Sequence, residues 1–191
     1  MVTLTEIINA LQLANGGGIG GVSAKGITRR KGRGFFVGGD NTTRTPLYEV
    51  VDGTQQPVTD SEGRDCWYVC GQLEGVHEYT TEYKGKQVPK VSVDVAAGSD
   101  GNISILMGAG THAAISLLQL LIVADKPTYI EIKFLRGSDT PTVVFCQIRK
   151  SEDGEKWVGV STLESEFEGV KSKGVEYSAE LVSRLTESEE N

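Results

Sequence analysis

This chain has little of the side-chain chemistry on which catalysis and metal binding usually depend. It contains only two histidines, His77 and His112, and they fall in separate predicted elements. Strand periodicity places Cys70 and His77 on opposite faces, so they do not form a nucleophile pair. No Cys/His cluster with metal-ligand spacing occurs. We therefore expect a non-catalytic protein that needs no cofactor and no metal.

The sequence also lacks a long apolar run and a disulfide framework. The longest mostly apolar stretch, residues 113–124, is far shorter than the roughly 20 residues that a membrane span needs. The N-terminus carries Glu6 and no basic lead-in to an apolar segment, which argues against a signal peptide. Three cysteines, Cys66, Cys70 and Cys146, cannot all pair within one molecule. They predict reduced core thiols in a cytoplasmic protein that does not bind membranes.

Positive charge is scarce overall but unevenly distributed. The net charge is −7, yet residues 1–45 carry six Lys/Arg and two acids, a net +4. Residues 46–150 have a net charge of −4, and residues 151–191 a net charge of −7. A basic head on an acidic chain can still meet a polyanion, so the average charge does not exclude nucleic acid.

Local periodicity divides the chain into three predicted parts. Residues 1–45 are predicted as a short N-terminal helix followed by a basic, glycine-rich arm, flexible by composition over residues 16–39. Residues 46–163 are predicted as one β-rich domain, because apolar residues alternate along several segments. Residues 164–191 are predicted as an acidic C-terminal tail that is partly helical.

The β-rich part contains one strong helix, at residues 111–124. Strands are predicted on both sides of it, at residues 47–51, 66–77, 88–95, 103–107, 128–135 and 142–150, with a last one near residues 157–160. The alternation places Val91, Val93 and Val95 opposite Lys90, Ser92 and Asp94.

Residues 66–150 thus follow the order strand, strand, strand, helix, strand, strand, which resembles the OB-fold of single-stranded DNA-binding proteins. The resemblance implies a mainly β fold with α additions: a five-stranded OB-like barrel over residues 46–163, with a helix between strands 3 and 4. It also implies a binding surface across strands 2 and 3 and through the loops between strands 1 and 2 and strands 4 and 5.

Two segments have the basic and aromatic residues that such a surface needs. The first loop, residues 78–87, offers Tyr79, Tyr83, Lys84 and Lys86, although Glu78 and Glu82 would cancel its charge. These tyrosines could equally well support a hairpin. The arm offers Arg29, Arg30, Lys31, Arg33, Phe35 and Phe36, similar to the core of RNA-binding and cold-shock strands except that Arg33 replaces an aromatic residue. The alternative is a solvated loop fixed by one buried phenylalanine.

Further candidates come from the outward sheet face and the second loop. The outward face adds Tyr68, Lys90, Lys133 and Arg149 if the strand register is right, and the loop after strand 4 adds Arg136. Residues 108–110 precede the helix with two glycines and could form a dinucleotide loop. However, Ala113 replaces the third glycine and no repeated βαβ unit surrounds it.

The sequence therefore predicts low-specificity binding of single-stranded nucleic acid, DNA by the resemblance, with the arm closing over the strand. Self-association is expected, with a dimer as the simplest closed form. The acidic tail could occupy the basic groove or recruit protein partners. The alternative function is a β-rich protein-interaction or assembly module that self-associates through its basic head and acidic tail.

Overall fold

The computed structural model describes residues 32–38, 44–125, 127–137, 142–149, 156–159 and 174–187. The predicted N-terminal helix lies outside these residues, as does most of the arm, including Arg29, Arg30 and Lys31. Within the described residues there are nine strands: β1 (Gly32–Val37), β2 (Leu47–Val51), β3 (Thr54–Pro57), β4 (Tyr68–Tyr83), β5 (Lys86–Ala96), β6 (Asn102–Gly108), β7 (Tyr129–Arg136), β8 (Val144–Arg149) and β9 (Val158–Gly159). Two α-helices, α1 (His112–Val123) and α2 (Gly174–Thr186), and a 3₁₀ turn at Gly98–Asp100 complete this part of the chain.

All nine described strands belong to one sheet, in the order β3-β2-β1-β6-β5-β4-β7-β8-β9. Strands β1 and β6 are parallel, and every other neighbouring pair is antiparallel. The sheet curls into a half-barrel. The predicted fold class is therefore confirmed as mainly β with α additions.

The five strands expected for the barrel correspond to β4 to β8 and lie side by side in the order β6-β5-β4-β7-β8. A closed five-stranded barrel would require β6 to pair with β8. Instead, β6 pairs with β1 and β8 pairs with β9, so the described sheet is longer and open. The five-stranded barrel is thus not confirmed.

Helix α1 packs mainly against β8 and shares one hydrophobic core with the sheet. Thr111 caps it, because its hydroxyl accepts the amide of Ala114 at 3.3 Å. Residues 113–121 are all buried, which a helix that is apolar almost all round requires. We call the sheet side that packs on this helix the inner face; it carries, among others, Val91, Val93, Val95, Ile130 and Ile132, all fully buried. The opposite side is the outer face.

Helix α2 confirms the weak helical pattern of the acidic C-terminal region. Its apolar side, with Leu181, Val182 and Leu185 buried, packs on α1 and on β4. The hydroxyl of Ser178 accepts the amide of Gly110 at 2.8 Å. This bond joins α2 to the glycine turn that precedes α1.

Strand β3 was not predicted, and two stretches predicted as arm or loop are also strands. Residues 32–37 of the supposedly flexible arm form β1, because the remote strand β6 supplies hydrogen bonds that outweigh the local freedom of the glycines. Residues 78–83, predicted as the start of a loop, extend β4 and pair with β5 up to Tyr83↔Lys86.

Candidate nucleic-acid interface

The predicted binding loop between strands 1 and 2 is a β-hairpin. Lys84 and Gly85 form its two-residue turn with φ of 51° and 73°, the positive values that a type I′ turn requires. Tyr83 lies directly opposite Lys86, and Tyr79 lies opposite Lys90. Directly opposed residues of an antiparallel pair point to the same side, so these four side chains share the outer face. We call them, with Lys84 at the tip, the hairpin face.

Strand alternation separates the two glutamates of the hairpin from the lysines. Glu78 lies opposite Val91, and Glu82 lies opposite Gln87, so both belong to the other side of the hairpin. The expectation that these acids cancel the lysine charges within one loop is therefore corrected. The two charge signs occupy opposite sides of the same two strands.

The tip of the hairpin face is exposed, and its lysines make no ion pair with the carboxylates that the structure describes. The Tyr83 side chain is 63% exposed, with Lys84 Nζ 5.2 Å from its ring centroid, whereas Tyr79 is half-buried. Strand pairing with β6 ends at Lys90↔Gly108, so residues 80–88 project beyond the sheet as two strands. Among the described residues, no carboxylate lies within salt-bridge distance (4.0 Å) of Lys84, Lys86 or Lys90.

A β-bulge places Tyr68 on the same face as Tyr79 and Tyr83. These positions are an odd number of residues apart, and a regular strand would put them on opposite faces. The register shift between Leu73 and Gly75 inserts one extra residue into β4 and reverses the alternation. It also places Cys70 and His77 on the same face, seven positions apart along β4, which corrects the expectation that they lie on opposite faces. Tyr68, 55% exposed, lies directly opposite Lys133 of β7. The predicted outward direction of Tyr68, Lys90, Lys133 and Arg149 is therefore confirmed.

Arg149 is on the outer face but its charge is already paired. Its guanidinium Nε donates to the carboxylate of Glu131, which lies directly opposite and is only 3% exposed. Trp157 covers this pair, with its ring centroid 4.8 Å from Arg149 Cζ and 5.6 Å from Lys133 Nζ. Sequence reasoning missed Trp157 as a site residue, because its register against β8 could not be derived from a two-residue strand.

The described part of the arm buries one of its two predicted stacking rings. Phe35 is 4% exposed in the core, so a base cannot reach its ring, and its predicted stacking role is wrong. Phe36 is half-buried and stacks on Tyr48 at 5.5 Å. Arg33 donates to both carboxylate oxygens of Glu49 at 3.1 Å and lies over the Phe35 ring. Strand β1 is separated from β4 by β6 and β5, about 14 Å at the usual strand spacing.

Arg136 does not lie on the predicted binding surface either. It lies opposite Val144, which is buried on the inner face, and its Nη2 donates to the carbonyl of Thr45 at 3.4 Å. This bond links the end of β7 to the segment before β2. We therefore assign Arg136 to the curled end of the sheet and not to the outer face.

The glycine turn before α1 does not form a dinucleotide site. The amide of Gly110, which would face a phosphate, donates instead to Ser178 Oγ. A Cβ at Gly110 would lie 2.8 Å from the carbonyl carbon of Gly174, so the start of α2 packs directly on the turn. The space that a pyrophosphate would need is occupied by this helix.

Other reactive groups lie away from the hairpin face. Burial raises the pKa of the Cys146 thiol to about 12, and desolvation followed by the charge of Asp60 raises the pKa of Cys66. Across the described ranges, no three His, Cys, Asp or Glu side chains are placed to hold a metal ion. Neither described helix has the length and apolar character needed to cross a bilayer.

The outer face thus brings together Tyr68, Tyr79, Tyr83, Lys84, Lys86, Lys90 and Lys133, and excludes Phe35 and Arg136. Rings with an accessible side and unpaired cations are what binding to a flexible polyanion requires. No protein-family model, curated protein or solved structure matches this chain.

Proposed function

We propose that the outer face binds single-stranded nucleic acid, with low sequence specificity, through phosphate contacts and base stacking. The observation that carries the proposal is the separation of charge over residues 78–90 of the β4–β5 hairpin. Tyr79, Tyr83, Lys86 and Lys90 share one side, while Glu78 and Glu82 occupy the other. Lysines that neutralise phosphates release counterions, and each stacked base contributes about 1–3 kcal/mol.

A single strand suits this surface better than a duplex does. The bases of a duplex are already stacked on one another, so the exposed Tyr83 ring would have no base face to cover. Between Tyr79 and Lys90 the hairpin carries no arginine, asparagine or glutamine on the lysine side to read base edges, which favours binding of low sequence specificity. The three cations of the arm, Arg29, Arg30 and Lys31, would add phosphate contacts.

We also propose that strands β4 to β8 form an OB-type barrel that has opened. Strands β4 to β8 are consecutive in the chain and adjacent in the sheet, with α1 between β6 and β7. In this proposal the barrel is open between β6 and β8, where β1 and β9 add to the free edges. The hairpin face then occupies the loop between strands 1 and 2, one of the regions through which OB-folds bind nucleic acid. We also propose a cytoplasmic location, which the three free thiols support.

The test is the fluorescence anisotropy of labelled oligo(dT), measured at low and at moderate salt with the full chain. We expect saturable binding at micromolar concentration or tighter. Lys86→Ala should weaken binding about three- to tenfold, because it removes one phosphate contact. Tyr83→Ala should weaken it by about tenfold, through the loss of one stacked base.

Gln87→Ala is the matched control, because Gln87 is the sequence neighbour of Lys86 and lies on the opposite side of the hairpin. It should leave the affinity within about twofold. Equal losses for Lys86→Ala and Gln87→Ala would contradict the assignment of the hairpin face. Absence of binding, together with salt-sensitive oligomers in light scattering, would instead support an assembly module joined by basic head and acidic tail.

A further inference from the structure

Trp157 lies on the outer face, one position beyond the paired residues of β9. Since Gln147 lies opposite Gly159 and Ile148 opposite Val158, the next position places Trp157 beside Arg149. Lys133 lies in the next row of paired residues, which also contains Gln147 and Gly159. Because Gly159 has no side chain, the indole of Trp157 can extend towards Lys133. The ring is 5.6 Å from Lys133 Nζ.

Lys133 is therefore flanked by two aromatic rings. Trp157 contacts it from one side, and Tyr68 is its direct neighbour across the β4–β7 pair, with 55% of the side chain exposed. The buried carboxylate of Glu131 takes the charge of Arg149 but does not pair with Lys133. One cation between two rings offers a nucleotide a phosphate contact and a stacking surface at the same place.

We propose that Tyr68, Lys133 and Trp157 form a second contact site for nucleic acid, the tryptophan platform, occupied by the same single strand as the hairpin face. This inference rests on the proposed function and deepens it. The platform and the hairpin face are on one side of the sheet only because the bulge at Leu73/Gly75 reverses the alternation of β4. A bound strand can therefore reach both without crossing an edge of the sheet.

The separation of the two sites sets the length of the ligand. Tyr68 and Tyr83 are the first and last residues of the 16-residue strand β4. At about 3.3 Å per residue they are at most about 50 Å apart, and less if the strand bends. A stacked single strand rises about 3.4 Å per nucleotide, so about 15 nucleotides span both sites. An oligonucleotide of 25 nucleotides should fill both, and one of 6 nucleotides only one.

The chain has two tryptophans, which makes the platform directly observable. Trp67→Phe leaves Trp157 as the sole tryptophan, and Trp157→Phe leaves Trp67, which directly precedes β4 and accepts the amide of the buried Phe134 at 2.9 Å. Both variants keep an aromatic ring at the substituted position. Unlabelled (dT)25 and (dT)6 are titrated into each variant while tryptophan emission is recorded, and anisotropy with labelled (dT)25 measures binding independently.

We expect (dT)25 to quench the emission of the Trp67→Phe protein in proportion to binding, and to leave the Trp157→Phe protein nearly unchanged. Trp157→Ala should weaken the binding of (dT)25 about tenfold, which is the effect of one lost stacking contact. The difference in affinity between (dT)25 and (dT)6 should therefore become smaller.

Two results would overturn the platform, and they differ in what they say about the proposed function. If (dT)25 binds by anisotropy but the emission of Trp157 does not change, Trp157 only covers the Arg149–Glu131 pair and the hairpin face alone binds. If (dT)25 does not bind the unmodified protein at any salt concentration, both the platform and the proposed function are wrong.

Discussion

Gly71 shows how one residue permits the close approach of β4 and β5. Its φ is +153°, and a Cβ at this position would lie 2.3 Å from the carbonyl oxygen of Ala96 and 2.8 Å from Val95 Cγ1. The nearest atom is backbone, so it cannot rotate away as the end of a side chain would. An alanine at this position would push apart the two strands that carry the hairpin face.

We expect Gly71→Ala to lower the free energy of unfolding by more than about 3 kcal/mol, through steric overlap added to backbone strain. Gly53→Ala is the matched control. Gly53 also has a positive φ, +75°, but nothing lies within 4 Å of the added methyl group. Gly53→Ala should therefore lower the free energy of unfolding by only about 1–2 kcal/mol, through backbone strain alone. Urea denaturation followed by circular dichroism measures both, and similar losses in the two variants would contradict the close approach.

At the scale of elements, one hydrogen bond joins α2 to the turn before α1. Ser178 is fully buried and accepts the amide of Gly110, while Ser183 is exposed and donates to Glu187 at 2.8 Å. Both serines lie in the same helix, so they differ in environment rather than in helix propensity.

Ser178→Ala should lower the free energy of unfolding by about 1–3 kcal/mol, because the Gly110 amide loses its acceptor beneath α2. Ser183→Ala should change it by less than about 0.5 kcal/mol. Thermal unfolding of the two variants makes the comparison. A stability loss confined to Ser183→Ala would mean that α2 is not held by the Gly110 contact.

The elements that sequence reasoning predicted well are those whose signal is local. Helix α1 and strand β5 were predicted because their apolar periodicity is strong, and the inward direction of Val91, Val93 and Val95 is confirmed. Strand β1 was missed because its stability comes from pairing with β6, which no local pattern reveals. The bulge in β4 could not be predicted either, since no residue type in the sequence marks the position of an inserted residue.

The site residues were also predicted well where the signal is local and missed where it depends on contacts between remote elements. Alternation alone predicted that Tyr68, Lys90 and Lys133 point outward, which the strand pairing confirms. Phe35 failed as a site residue because burial depends on what packs over a strand, and its partner Ile105 lies in the core. Trp157 could be found only from a three-dimensional contact with two cations.

At the scale of the whole molecule, the salt dependence of binding separates the sheet from the arm. Four lysines on the outer face, Lys84, Lys86, Lys90 and Lys133, lack a carboxylate partner among the described residues. At about −0.7 per neutralised phosphate on a single strand, they predict a slope of roughly −3 in a plot of log K against log salt concentration.

The three cations of the arm should steepen this slope by about 2. We therefore expect Arg29→Ala/Arg30→Ala/Lys31→Ala, combined in the full chain, to reduce the slope to about −3 without abolishing binding to (dT)25. Anisotropy titrations at four or more salt concentrations give the slopes. An unchanged slope would remove the arm from the proposed interface, whereas loss of all binding would assign the interface to the arm.

The parallel pairing of β1 with β6 has a consequence for how the protein is made. Residue 32 pairs with residue 102, which is 70 positions later in the chain. At a synthesis rate of about 5–20 residues per second, β1 leaves the ribosome several seconds before β6 has been synthesised. Phe35 stays in water for that interval, and the sheet cannot close around it until β4, β5 and β6 have all been translated.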